Sequence, residues 1–255
     1  PQYTLKASVD KSIANSFKFG ASVYATFANI HPGSGEVFRT AYRLRPTGSA
    51  YNTDGSQRFF TYEGESQITN PLFDFDNEIR QQQYIHVLPN VYGEANIIKG
   101  LKVRTSISPD ITFQRQGQFD DTFTKQQAGT KPASGASSSN QWVNYTWDNL
   151  IIYGKEIKKH KFDLTLGNTF EYHQQDFSSI SVQGLPSRSL WYTLCTAATA
   201  TINGKSVAPI TTVNSGSSKH TITSFYGRPA YSCSNRFLFT SPIAAHGNSA
   251  FEPVH

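Results

Sequence analysis

Methionine is missing from all 255 residues, even from position 1, cysteine occurs only twice, and charged residues make up 16%. Pro1 opens directly into strand-like sequence with no leader ahead of it, so a mature or excised piece of a longer chain is expected. No run of about 18 apolar residues exists, which excludes a transmembrane helix. The formal charge of +5 is scattered, and its densest run, Lys155 to Lys161, falls in a predicted turn. Nothing interleaves bases with aromatics, which excludes a nucleic-acid platform. Cys195 lies in a long polar segment and Cys233 in a short turn at the opposite end of the predicted strands. A disulfide needs Cα atoms within about 7 Å, so none is expected between them.

Catalytic signatures are also lacking. The seven histidines show no H-E-x-x-H spacing, and Gly33-Ser-Gly35 has no strand-to-helix context. Ser8-Val-Asp-Lys11 spells S-x-x-K but sits at a hairpin turn without the partner motifs of an acylating site. Asp74-Phe-Asp76-Asn77-Glu78 offers oxygens for Ca²⁺ but lacks the glycine and spacing of an EF-hand loop, so a backbone-capping or solvated acidic turn is the favoured reading. No enzyme and no cofactor are expected.

What the chain has is alternation. Ile85, Val87, Pro89, Val91, Gly93, Ala95 and Ile97 take every second place, against Tyr84, His86, Leu88, Asn90, Tyr92, Glu94 and Asn96. After Ile98-Lys99-Gly100 the pattern resumes, with Leu101, Val103, Thr105, Ile107, Pro109, Ile111 and Phe113 on one side. Period two means β-strand, and strands of about 14 residues exceed the usual five or six. Similar ribbons follow at 3–10, 17–27, 143–153, 162–172, 221–231 and 236–245, about eight in all. Pro89 and Pro229 fall inside them, where proline removes a ladder hydrogen bond.

Three long polar segments, about 30–83, 120–141 and 177–219, alternate with tight turns. In a meander all tight turns then lie at one edge and all long loops at the other, the layout of an outer-membrane barrel. Phe17 and Phe27 are separated by roughly 25 Å along the membrane normal at strand rise and tilt, the height of the apolar band. The mean hydropathy of -0.44 fits such a wall, because only alternate residues meet lipid. The expected fold is all-β, an antiparallel up-and-down transmembrane barrel wall. Two other readings stand beside it. A soluble glycan-binding sandwich would bury the apolar faces against each other, and a self-contained eight-strand structural or adhesive barrel would pair 3–10 with 236–245.

Several segments resemble the SusC/RagA family of TonB-dependent outer-membrane transporters. They are Ala41-Tyr-Arg-Leu-Arg-Pro-Thr-Gly-Ser-Ala-Tyr51, Asn70-Pro-Leu-Phe-Asp-Phe-Asp-Asn-Glu78, Ile98-Lys-Gly-Leu-Lys-Val-Arg104, Trp147-Asp-Asn-Leu150 and Gly184-Leu-Pro-Ser187. Tyr226-Gly-Arg228, Asn235-Arg-Phe-Leu-Phe-Thr240 and Gly247-Asn-Ser-Ala-Phe251 continue the likeness in order. The resemblance implies a piece of a barrel of about 22 strands in the outer membrane of a Gram-negative bacterium, importing oligosaccharides or oligopeptides. It implies outer-membrane lipid around the wall, a SusD-like surface lipoprotein over the loops, and TonB acting through a plug that this stretch does not contain. Lumen-facing candidates for substrate or plug contact are Tyr24, Tyr92, Glu94, Arg104, Asp110 and Gln114. Loop candidates for ligand or lid contact are Tyr42, Tyr51, Phe59, Phe60, Tyr62, Trp191 and Tyr192.

Overall fold

A computed structural model describes residues 1–13, 16–185, 200–202, 205–207, 210–234 and 236–250. The alternating ribbons form one antiparallel meander. Its strands are β1 (Gln2–Ile13), β2 (Phe17–Ile30), β3 (Glu78–Ile98), β4 (Leu101–Asp120), β5 (Ala133–Ile157), β6 (His160–Leu185) and β9 (Ile210–Cys233). The eighth position is shared by β10 (Phe237–Thr240) and β11 (Ile243–Asn248), both paired to β9 in one continuous register. The break between them contains Pro242, which has no N–H to give the ladder. A small separate hairpin joins β7 (Ala200–Ile202) to β8 (Lys205–Val207). Two short helices, α1 (Gly35–Arg43) and α2 (Pro71–Asn77), interrupt the first long connection.

The strands run farther toward the long loops than hydrophobic alternation traces them. β3 starts at Glu78, β5 at Ala133, and β6 continues to Leu185. The first connection therefore spans 31–77 and the second only 121–132. These extensions are rich in Gln, Ser and Gly, and the apolar side chains on their one buried face, Ile79, Phe119, Ile180 and Val182, are spread one or two to a strand. Their signal is backbone pairing rather than pattern. At the opposite rim the connections are tight, and Gly100 adopts φ +88, a left-handed geometry that glycine enters without penalty.

Register places every apolar stripe on the same face. Val23, Pro89 and Pro109 lie in line with Tyr145 and Tyr172, and Ala21, Val91 and Ile107 with Trp147 and Phe170. That face is open: Ile107 is 44% and Trp147 49% exposed. A sandwich would bury these side chains under a second sheet, and among the described residues the only other sheet is the β7–β8 hairpin. The self-closed barrel fails as well, because β1 pairs only with β2 and meets neither β10 nor β11. Buried hydrophobic residues among those described are few, and Phe119, Ala133, Val182 and Leu185 gather at the long-loop end. The wall thus keeps no mid-height core of its own.

The two mid-strand prolines are accommodated together. Pro89 and Pro109 face each other across β3 and β4, and the ladder lapses between the Val87–Ile111 and Val91–Ile107 pairs. Side chains on the polar face span the gap, with Asn90 Nδ2 donating to Ser108 Oγ at 2.6 Å and His86 Nε2 lying 2.9 Å from Asp110 Oδ1. The two missing N–H donors fall at one facing pair, so the ladder is broken at a single place rather than at two.

Candidate ligand-binding wall

The face opposite the apolar stripe carries the candidate site. Near the tight-turn rim, Tyr92 is the hub. Its ring crosses over Gly20, where a Cβ would collide with it, and its hydroxyl donates to Asp10. The Arg104 guanidinium sits 4.4 Å from the ring centroid and the Lys18 ammonium 5.7 Å from it, both within cation–π range. Glu94 pairs with Lys102 at 3.0 Å. Charges here satisfy one another, which suits a surface covered by more protein. Tyr24 lies farther along the same face, 38% exposed.

At mid-height, Asp110 faces Asn144, which faces His173, and the His173 ring stacks on His220 at 4.7 Å. His173 also lies 3.2 Å from Glu171. The structure therefore does not bring Tyr92, Glu94, Arg104, Asp110 and Gln114 to one point but strings them down β3 and β4.

Above Gln114 the wall holds a cavity of about 380 Å³ that sequence reading missed. Arg80, Gln82, Gln116 and Gln118 line one half, from β3 and β4. Small residues form the other half, Ala136, Ser138, Ser179 and Ser181 from β5 and β6, with Pro32 at the margin. Arg80 is occupied: it donates to Asp120 at 2.5 Å and to the carbonyls of Ile79 and Phe119. The rungs directly below, on the same face, carry Tyr84, Gln114, Asn140 and Phe177, then Trp142. Trp142 was findable, since it alternates with Val143, but the cavity residues sit in a Ser/Gln tract without periodicity.

The long loops pack on themselves. Phe59 meets Phe60, Phe73 and Phe123 with ring centroids at 5.0, 5.3 and 6.2 Å, tying the first connection to the second. Arg45 covers the Tyr62 ring at 5.0 Å, and Tyr51 is bridged to Gln57. Tyr42, by contrast, is 93% exposed on α1 beside Phe38, one turn earlier, and Phe75 is exposed on α2. Neither Phe38 nor Phe75 stood out in the sequence, although their i, i+4 and helix-cap context was present. Trp191, Tyr192 and Cys195 lie outside the described residues, and Cys233 carries a free thiol.

The acidic stretch at Asp74 works as a backbone cap. Asp74 is fully buried and accepts from the Lys125 N–H at 2.6 Å, while Lys125 Nζ reaches Glu36 at 2.5 Å. Asp76 takes a hydrogen bond from Gln57. No group of three His, Cys, Asp or Glu side chains gathers as a metal set among the described residues. Burial pushes the Asp74 carboxyl above the usual Asp range, opposed by the Lys125 N–H. The Lys125 ammonium holds Glu36 below the usual Glu range.

These two shifts act in opposite directions. A raised acid binds its proton more tightly when folded, so Asp74 favours the packed loops at low pH and that contribution is lost as pH rises through its raised value. Glu36 favours them above the usual Glu range and loses its contribution as pH falls through its lowered value. Above the ordinary Glu range Glu36 is fully ionised and its contribution no longer changes, so intrinsically corrected exchange protection of the Lys125 amide should fall there as pH rises through the raised Asp74 value. Asp74→Asn should flatten that fall. An unchanged pH profile in the variant would remove Asp74 as its cause.

No protein-family model matches the chain. Two curated proteins of Formosa agariphila match over 98% of it: TonB-dependent receptor P3 at 22% identity and TonB-dependent receptor P26 at 24%. The chain spans about a quarter of their length, 25% and 24% respectively. Solved structures of the RagAB peptide importer in its open-open and closed-closed states superpose on 98% of the chain with TM-scores of 0.71 and 0.70. Identity to them is 17% and 16%, and the chain covers 28% of each matched chain, so they bear on the fold alone. The relatives are named as receptors, in keeping with a wall that catalyses no bond change. Over nearly its whole length the chain is similar in sequence to a quarter of these TonB-dependent receptors, and the course of its strands matches part of the RagAB structures, in line with the SusC/RagA resemblance of its segments.

Proposed function

We propose that the protein to which this wall belongs imports a nutrient oligomer, a glycan or a peptide, across the outer membrane of a Gram-negative bacterium in a TonB-dependent step. The observation that carries this reading is the sidedness of the sheet: apolar residues on one open face, polar residues on the other, long loops at a single rim. Lipid solvates the first face, and the second lines a lumen too wide for eight strands to close. The remaining strands of a barrel of about 22, with the plug that TonB pulls, complete the wall. A SusD-like surface lipoprotein docks over the long-loop rim, where Phe38 and Tyr42 on α1 and Phe75 on α2 present apolar surface to solvent. No cofactor enters this mechanism, and the wall's part is to bind, orient and release.

Growth on oligomers as sole carbon or nitrogen source tests it. A null strain for this protein and a TonB-null strain should both stop growing on an oligomer that the parent uses, while growth on its monomer is unchanged. Growth of the null strain on every oligomer that the parent uses would overturn the assignment.

A further inference from the structure

Resting on the import reading, we propose that the cavity at the loop end of β3–β6 is a subsite for uncharged sugar residues of an oligosaccharide. Its volume, about 380 Å³, is within the range of small-molecule sites. Its described lining has no carboxylate and no ammonium group, and its one cation, Arg80, is already bound by Asp120 and two carbonyls. The polar groups that remain are Gln amides and Ser hydroxyls, each able to donate and accept, interspersed with Pro32, Gly117, Ala136 and Ile180. Sugar hydroxyls have the same double character and lie side by side on a ring, so a dense field of such groups matches them.

A peptide fits this chemistry less well. Capture of an extended peptide by strand addition needs a free sheet edge, and here β3, β4, β5 and β6 are each paired on both sides. Charged peptide termini or side chains entering the cavity would lose water without gaining a counter-charge. The floor of Ala136, Ser138, Ser179 and Ser181 leaves room at backbone level for a ring. Tyr84 and Phe177 one rung below, and Trp142 two rungs below, offer flat apolar surface to the C–H faces of the next sugar. The RagAB neighbours are described as a peptide importer, so a glycan subsite here would set the ligand of this wall apart from theirs while sharing their fold.

Calorimetry on the complete transporter, purified in detergent, tests the proposal with defined probes: maltohexaose, laminarihexaose, xylohexaose and cellohexaose as neutral glycans, trigalacturonate as an acidic one, tetra-alanine and trilysine as peptides. At least one neutral hexaose should bind about tenfold or more tightly than trigalacturonate or either peptide. Ser138→Trp, which fills the cavity, should weaken that binding about tenfold, and Ser138→Ala less than about threefold. Gln116→Ala removes an amide while leaving the space open and should also weaken it, so the test survives should Ser138→Trp not assemble. Binding of a peptide but no neutral glycan overturns the proposal, as does binding of no probe, or neutral-glycan binding untouched by both Ser138→Trp and Gln116→Ala. Failure of the import reading is distinct: glycan would bind in the cavity, yet uptake would persist in cells lacking TonB.

Discussion

Arginine in place of Ile107 is expected to lower the stability of the bilayer-inserted protein by about 2–4 kcal/mol, the cost of a cation on the lipid side of a barrel near mid-membrane. Ile107 sits halfway along the apolar stripe of β4, between Leu101 and Phe113, and its side chain is 44% exposed with no sheet above it. In a soluble fold an exposed isoleucine is replaced almost without effect. In a lipid-facing wall the same change strands a guanidinium among acyl chains. The comparison that isolates the face is Ser108→Arg, one residue along and pointing the other way, where the polar side gives the guanidinium water and carboxylates and the expected cost is about 1 kcal/mol, that of the Asn90 hydrogen bond it removes. Urea titration of the complete protein in lipid bilayers, read by the heat-shifted electrophoretic band, measures both. Equal effects at 107 and 108 would mean that neither face meets lipid, and a larger effect at 108 would reverse the assignment.

The wall was legible because alternation is strongest where lipid and lumen differ most, between residues 85 and 113 or 162 and 172, and register then follows from keeping one face apolar. Legibility fails above the membrane. From Ala133 to Asn140 β5 continues through Ser and Gly, which look like loop because the small cluster on one face, Phe119 and Val182 with Ala133, draws its larger side chains from neighbouring strands. The two helices had readable starts: Ser34 caps α1 by accepting from the Glu36 N–H at 3.3 Å, and Asn70 caps α2 with Pro71 in its first turn. They are too short for helical periodicity to emerge from a tract rich in Gly, Pro and Asn. Tyr24, Tyr92, Glu94, Arg104, Asp110 and Gln114 share the polar face, since parity alone decides that. Which of them share a neighbourhood depends on pairing across strands, and so the Tyr92–Arg104 contact and the cavity over Gln114 needed coordinates. The loop aromatics divide the same way: composition marks them as notable, but only contacts distinguish Phe59, packed, from Tyr42, bare.

That division gives the second large effect. Phe59→Ala is expected to loosen the long-loop rim by about 3 kcal/mol, the low end for deleting a packed phenylalanine, because one ring is shared among Phe60, Phe73 and Phe123. Each edge-to-face contact adds to the area term, and Phe123 belongs to the second connection, so its loss uncouples two loops at once. The reporter is the Asn70 amide, which donates to the Phe59 carbonyl at 2.7 Å at the start of α2. Its exchange protection should fall by about a hundredfold, the factor that roughly 3 kcal/mol corresponds to, while amides in the middle of β3 and β4 keep theirs, since the ladder there does not depend on the loops. Tyr42→Ala is the counterpart. It removes a ring of similar size that is 93% exposed among the described residues, so Asn70 protection should stay within about twofold of the parent, and the loss should appear only in capture of the lipoprotein proposed to dock there. If Phe59→Ala leaves the Asn70 amide as protected as before, the aromatic cluster does not hold the rim and the backbone caps at Asp74 and Asn70 must carry it.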